Sequence, residues 1–109
     1  MIKRIIAQTA GVAVLGAAIA ASAQAAEFNL KMHHFLPAKA PAHAKFFQPW
    51  AESIEEASDG RIKIKIYGSM ALGGKPPQLV DQVQDGFVDI IWTLPGYTAG
   101  RFPAISAFE

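Results

Sequence analysis

From residue 28 onward, three stretches of the chain place apolar residues at the spacing expected of β-strands. The stretch FNLKMHHF, residues 28–35, alternates apolar and polar side chains, and RIKIKIYG, residues 61–68, sets isoleucines against lysines more strictly. Such alternation predicts strands with one polar face, or a sheet edge where lysine discourages further pairing. The stretch FVDIIWTL, residues 87–94, is almost continuously apolar, which favours a third strand covered on both faces.

Two helical patterns separate these strands. The first has four apolar residues at positions i, i+3, i+7 and i+10, which define one face of an amphipathic helix: Phe47, Trp50, Ile54 and Ala57. Asp59-Gly60 is a typical helix C-terminus, and Pro49 predicts either a kink or a helix that begins near it. The stretch QLVDQVQDG, residues 78–86, predicts a short second helix. The order β-α-β-α-β predicts an α/β fold with a mostly parallel sheet and right-handed crossovers.

The first 25 residues have a different pattern. Lys3 and Arg4 precede an Ala-rich apolar run, and Ala23-Gln24-Ala25 follows it, which is the order of regions in a cleavable secretory signal peptide. A membrane anchor is the competing interpretation, but polar residues interrupt the apolar run before it reaches the roughly 20 residues of a membrane span. Without Cys, the chain has neither a site for a covalent lipid anchor on Cys nor a disulfide. We therefore predict a signal peptide over residues 1–25 and a soluble periplasmic protein.

The charge balance changes once the signal peptide is set aside. The chain has ten Lys and Arg against nine Asp and Glu, and two of the basic residues, Lys3 and Arg4, lie in the leader. The remainder, residues 26–109, is therefore slightly acidic, and it carries no basic stretch that indicates nucleic-acid binding. It also lacks a Cys nucleophile, a Gly-x-Ser-x-Gly motif and a phosphate-binding Gly-rich loop. We predict no enzymatic activity, no catalytic residues and no cofactor.

Ligands of open α/β sheets bind beyond the carboxyl ends of the strands, where loop residues are presented without breaking the sheet. Three loops leave such ends here, namely HHFLPAKAP, GSMALGGKPP and TLPGYTAGRFP. The last of these follows Trp92, which ends an apolar run, and places Tyr97 among prolines and glycines. It is therefore a candidate ligand loop.

The run from HHFLPAKAP to IYGSMALGG, followed by LVDQVQDGFVDIIWT and PGYTAGRFP, resembles the N-terminal part of the extracytoplasmic solute receptors of tripartite ATP-independent periplasmic (TRAP) transporters, the DctP-type binding proteins. The resemblance implies a receptor that captures a small organic acid and delivers it to a membrane permease. In that family two α/β lobes close on the solute, and the second lobe supplies the Arg that pairs with the carboxylate. The chain ends at Glu109, before that lobe, so we expect residues 26–109 to be a partial N-terminal lobe.

The resemblance also implies site residues. His33 and Phe35 stand at the end of the first strand, where the family makes its first solute contacts, and Trp92 and Thr93 match the next contacts at the end of the third strand. Tyr97 follows a Pro-Gly turn that aims its ring at the cleft, at solvent or at a hinge. The competing interpretations are a solvated loop for His33 and a core position for Trp92. The aromatic residues favour branched, aromatic or keto acids over sugars.

The sequence also bears on a metal site, on the role of Arg101 and on an alternative function. Three histidines, His33, His34 and His43, suggest a metal site, but neighbours on a strand point to opposite faces and no Cys or carboxylate stands at ligand spacing, so we predict none. Arg101 is expected to anchor its loop through carbonyl or carboxylate groups and not to bind the solute carboxylate. A small secreted interaction protein without solute binding remains the alternative function.

Overall fold

The computed structural model describes residues 25–108, so the predicted signal peptide lies almost entirely outside the described part. Within it the strands and helices alternate as predicted, and the α/β prediction is confirmed. The elements are β1 (Phe28–His34), α1 (Gln48–Ala57), β2 (Ile62–Tyr67), α2 (Leu79–Gln84) and β3 (Ile90–Trp92), with a π-helical turn at His43–Phe47 and 3-10 turns at Pro76–Gln78, Pro95–Thr98 and Ile105–Ala107. Neither helix of residues 25–108 is long and apolar enough to cross a membrane.

The three strands form one parallel sheet in the order β2-β1-β3. The register aligns His33 with Tyr67 on one side and His34 with Trp92 on the other. The carboxyl ends of all three strands therefore meet at one edge, where an open α/β sheet binds ligands. Within residues 25–108, strand β2 lies at an edge of the sheet, which is one of the two alternatives that its alternating lysines left open.

The third strand is shorter and less covered than its sequence predicts. It spans only Ile90–Trp92, its residues are half-buried, and within residues 25–108 it pairs only with β1. Both ends have a local cause. At the start, the Asp89 carboxylate accepts the Lys31 N–H at 2.8 Å while the Asp89 N–H donates to the Lys31 carbonyl at 3.0 Å. At the end, Pro95 begins a 3-10 turn.

Helix α1 begins at Gln48 and directly continues the π-helical turn His43–Phe47, since the Gln48 N–H donates to the His43 carbonyl. Pro49 therefore lies where the π-helical turn passes into α1, and the structure matches neither a kink nor a fresh helix start in simple form. The buried face differs from the predicted stripe: Phe47 and Ala51 are buried, whereas Trp50 is 36% exposed. Residues four apart stack almost directly, while the i+3 position lies about 60° round the helix from Phe47. The buried face of α1 is therefore turned from the predicted one, which placed Trp50 toward the core.

The end of α1 is confirmed at Asp59-Gly60. Gly60 has a φ of 76° and donates its N–H to the Glu55 carbonyl at 2.8 Å, and Asp59, with a φ of 54°, donates to Glu56 at 3.1 Å. Bonds of this kind close the last helical turn and satisfy carbonyls that the helix leaves free. The chain then enters β2.

The two helices lie on opposite faces of the sheet. The His34 ring packs against Phe47 at the start of α1, with 5.3 Å between ring centroids, whereas the His33 ring is hydrogen-bonded to Gln82 of α2. Because adjacent strand residues point to opposite faces, each helix covers a different side of β1. The buried apolar residues are drawn from both layers: Met32, Phe47, Ala51, Leu79, Val80 and Val88.

Candidate functional site

Two fully buried histidines, His33 and His34, end the central strand at the carboxyl edge of the sheet. The Nδ1 atom of His34 accepts the Leu36 N–H at 3.0 Å, and its Nε2 atom lies 2.8 Å from Nδ1 of His43. A neutral imidazole carries one proton, so the Leu36 bond requires that proton on His34 Nε2, which donates to His43. The loop after β1 and the turn before α1 are thereby joined.

His34 is neutral at ordinary pH. Burial is the main reason that the pKa of His34 is lowered from 6.5 to about 4, and the neighbouring rings of His43 and His33 contribute to the same shift. A proton on Nδ1 would also break the bond from Leu36, because that nitrogen could no longer accept. The ring therefore acts as a structural link and adds no charge to the site.

His33 has a parallel role on the other face of β1. Its Nε2 atom accepts the Leu72 N–H at 3.2 Å, which places the proton on Nδ1, and that proton is donated to Oε1 of Gln82 at 2.7 Å. The amide of Gln82 in turn donates to the Gly73 carbonyl at 3.0 Å. His33 therefore ties the loop after β2 to helix α2.

Beyond the histidines, four aromatic residues from three segments form a continuous cluster. The Phe35 ring lies 5.3 Å from both Trp92 and Tyr97, and Trp92 lies 5.7 Å from Phe47, with interplanar angles between 44° and 58°. These distances and tilts are those of favourable aromatic pairs. We call Phe35, Phe47, Trp92 and Tyr97 the aromatic cluster. Phe47 is its buried base, and the other three rings are partly accessible.

The turn after β3 brings Tyr97 back over the sheet edge. The Tyr97 N–H donates to the Leu94 carbonyl at 3.0 Å, and the buried Thr98 hydroxyl donates to the Pro95 carbonyl at 3.0 Å. This 3-10 turn leaves Tyr97 45% exposed while its ring touches Phe35. The Pro-Gly sequence thus supplies a sharp exit from the strand with an aromatic ring at its tip.

Thr93 adds a polar group beside this cluster. It directly follows β3, and its Oγ1 atom is buried with no hydrogen-bond partner among residues 25–108. A buried hydroxyl without a partner loses the hydrogen bonds that water would give it. Contact of Thr93 with a solute stays a prediction.

The structure brings together three of the five predicted site residues, Phe35, Trp92 and Tyr97. A fourth, Thr93, directly follows Trp92 in the chain. His33 differs from these four. It has no accessible surface, and both of its ring nitrogens are used within the lobe. Its position therefore matches a residue that supports the loops and does not match direct contact with a solute.

Several residues around the site were missed by sequence reasoning. His43 and Phe47, four apart, share the face that meets His34, and Gln82 meets His33 from α2. The i, i+4 spacing of His43 and Phe47 was a usable signal. Nothing in the sequence marks Gln82, because its role depends on how α2 crosses the sheet.

Arg101 is confirmed as an anchor of its loop. Its guanidinium forms an ion pair with Asp81 and a hydrogen bond with the side-chain oxygen of Gln84, both on α2. Two donors of one planar group thus bind two neighbouring side chains. Elsewhere in residues 25–108, no group of three or more His, Asp or Glu is arranged to hold a metal ion.

Comparison with known proteins identifies the family. Residues 32–109 match DctP, the bacterial extracellular solute-binding protein family 7. The chain belongs to this family. Its members are transport receptors and not enzymes, in agreement with the absence of catalytic motifs.

Solved family members have the same lobe. A TRAP solute-binding protein from a marine metagenome, specific for aromatic acid ligands and solved with 3-hydroxybenzoate, is 58% identical over 78% of this chain and 27% of its own, with a TM-score of 0.74. One from Rhodoferax ferrireducens, solved with copurified benzoate, is 48% identical over 74% of this chain and 25% of its own, with a TM-score of 0.71.

A curated relative is the ectoine/5-hydroxyectoine-binding periplasmic protein UehA of Ruegeria pomeroyi. It is 30% identical over 97 residues, which are 89% of this chain and 27% of the relative. The family 7 chain described here thus spans about a quarter of the length of these relatives. Its three strands and two helices correspond to part of a larger receptor.

Proposed function

We propose that this family 7 chain is the N-terminal lobe of a periplasmic TRAP receptor that binds an aromatic carboxylic acid and delivers it to the membrane permease. The observation that carries the proposal is the aromatic cluster. Three of its rings, Phe35, Trp92 and Tyr97, are partly accessible and come from the end of β3 and two loops at the carboxyl edge of the sheet. An aromatic solute packed against them would gain apolar burial and ring-ring contact together.

The charged and titratable groups of the lobe indicate where the solute carboxylate binds. Both buried histidines are engaged within the lobe, with the pKa of His34 lowered to about 4, and Arg101 is paired with Asp81. None of these groups presents a free cation to a carboxylate at the cluster. The solute carboxylate therefore pairs with an Arg of a second lobe, as the family resemblance implies, while this lobe holds the ring.

The relatives support the same class of solute. The marine metagenome receptor binds 3-hydroxybenzoate, and the Rhodoferax receptor was purified with benzoate. The Thr93 hydroxyl, buried and unpartnered beside the cluster, provides one hydrogen bond to a polar substituent or to a carboxylate oxygen.

A matched pair of ligands tests the proposal. In a chimera, residues 26–108 replace the matching quarter of the marine metagenome receptor, so that a second lobe is present. We expect calorimetry to give at least about tenfold tighter binding of 3-hydroxybenzoate than of cyclohexanecarboxylate, which has the same carboxylate on a saturated ring. Equal affinities would show that the site does not select aromatic rings. The parent receptor measured in parallel shows whether the chimera retains a working second lobe.

A further inference from the structure

A basic surface lies on the sheet, away from the aromatic cluster. Lys31 of β1 and Lys65 of β2 are direct register partners. Two residues earlier on each strand, Lys63 lies opposite Asn29. All three lysines are exposed and point to the same face. We call Lys31, Lys63 and Lys65 the lysine face.

This arrangement disfavours folding of the isolated lobe. Like charges that face each other on neighbouring strands destabilise a sheet. Within residues 25–108 the ion pairs are Arg61 with Glu27 and Arg101 with Asp81, and neither involves the lysine face. Lys65 Nζ lies 5.2 Å from the centre of the Tyr67 ring.

Protection of the sheet edge explains only two of the three lysines. Lysine on an edge strand discourages pairing with another chain, which accounts for Lys63 and Lys65 on β2. Lys31 belongs to the central strand and has β2 on one side and β3 on the other. Its charge therefore needs a different reason.

The lysine face also borders an open groove. A groove of about 320 Å³ is lined by residues of β1 and β2 only: Asn29, Leu30, Lys31, Lys63, Lys65 and Tyr67. Helix α2 lies on this side of the sheet, where Gln82 meets His33, but it covers the half toward β3. Two acidic residues of α1, Glu52 and Glu55, line a second cavity together with Lys63 and Lys65. Within residues 25–108 neither carboxylate forms an ion pair with these lysines.

We propose that the lysine face is a docking surface for an acidic helix of a partner protein. Register partners lie about 4.8 Å apart across the strands, and Lys63 and Lys65 lie about 6.6 Å apart along β2. Acidic residues at i and i+4 of a helix have Cβ atoms about 5–6 Å apart, which is close to these backbone spacings. Parallel sheets are commonly covered by helices on both faces. The concave form of the groove suits a helix better than the flat surface of a membrane.

The test compares two triple variants of the protein with the same change in net charge. One replaces the lysine face, Lys31→Gln, Lys63→Gln and Lys65→Gln. The control replaces three exposed lysines elsewhere, Lys39→Gln, Lys45→Gln and Lys75→Gln. The probe is a fluorescent Ala-rich helical peptide with Glu pairs at i and i+4, and a Gln version of it is the neutral reference. Circular dichroism verifies that each variant is folded.

We expect the acidic peptide to bind the wild-type protein and the control, and to bind the lysine-face variant about tenfold more weakly by fluorescence anisotropy at low salt. Raising the salt to about 0.2 M should remove most of this difference. Equal weakening in both variants would overturn the proposal, since it would indicate net charge alone. Binding of vesicles that contain phosphatidylglycerol, dependent on the same lysines and without peptide binding, would overturn it in favour of a lipid surface.

Discussion

The Nε2 atom of His34 lies 2.8 Å from Nδ1 of His43, and this bond joins the end of the central strand to the turn that leads into α1. The same ring accepts the Leu36 N–H, so both of its nitrogens are used in the neutral form. On the opposite side of the strand, His33 makes two bonds of the same kind, to Leu72 and Gln82. His34 thus joins the two segments that carry Phe35 and Phe47, and His33 ties the loop after β2 to helix α2.

This arrangement predicts acid-sensitive stability. The pKa of His34 falls from 6.5 to about 4 on folding, so the unfolded chain binds the proton more readily. The contribution of His34 is therefore complete above about pH 6.5 and is lost as the pH falls through about 4. We expect about 2–3 kcal/mol of the free energy of unfolding to disappear over this range. Urea melts at several pH values measure it.

The control for this prediction is His34→Gln, which removes the titrating group. Other groups also titrate between pH 4 and pH 7, so the informative quantity is the difference between the two proteins. The variant should be less stable at pH 7 and should lose less stability on acidification. Parallel curves for the two proteins would rule out His34 as the source.

Trp92 and Trp50 form a matched pair of substitutions. Trp92 packs between Phe35 and Phe47 at the site, while Trp50 is 36% exposed on α1. In the chimera, Trp92→Ala should weaken binding of 3-hydroxybenzoate by about 1–3 kcal/mol, because the solute loses a buried aromatic contact. Trp50→Ala should leave the affinity unchanged. If Trp92→Ala lowers the melting temperature strongly but binds normally, Trp92 belongs to the core and not to the site.

Thr93→Val should change stability and affinity in opposite directions. The free lobe leaves Oγ1 of Thr93 buried and without a partner, so replacing the hydroxyl by a methyl group should raise the free energy of unfolding by about 1 kcal/mol. If the hydroxyl bonds the solute, the same change should weaken binding by about 0.5–1.5 kcal/mol. Thr93→Ser keeps the hydroxyl and should bind almost normally. Equal affinity of the Val variant and the wild type would remove Thr93 from the site.

Arg101→Ala should affect folding and not binding. Its partners, Asp81 and Gln84, lie on α2, and the paired side chains are well exposed. Exposed pairs contribute little, so we expect a loss of about 0.5–1 kcal/mol in thermal or urea melts. Affinity for 3-hydroxybenzoate in the chimera should stay within about twofold of wild type. Lost binding with an unchanged melt would place the carboxylate anchor at Arg101.

The sequence was sufficient to predict the order of the elements and the first two strands. Alternation identified β1 and β2, and the carboxyl-end rule for parallel strands selected the edge near which Phe35, Trp92 and Tyr97 lie. These signals are local, or depend only on the order of elements. They required no knowledge of side-chain packing.

What the sequence did not predict depends on tertiary contacts. Local pattern does not reveal that β1 is central, and this position is the reason that His33 and His34 are buried and fully hydrogen-bonded. The buried face of α1 was predicted wrongly because the pattern relied on the large apolar side chain of Trp50. In the structure the smaller Ala51 is buried and Trp50 is partly exposed. The length of β3 was limited by Asp89, whose side chain bonds the Lys31 backbone.

The most direct test of the central claim is to measure which protein rings contact the bound solute. Intermolecular nuclear Overhauser effects between the ring protons of 3-hydroxybenzoate and the chimera report such contacts. The account predicts effects to the indole of Trp92 and to the ring of Phe35, and none to the indole of Trp50. A saturated complex with effects to neither Trp92 nor Phe35 would contradict the assignment of the aromatic cluster as the solute site.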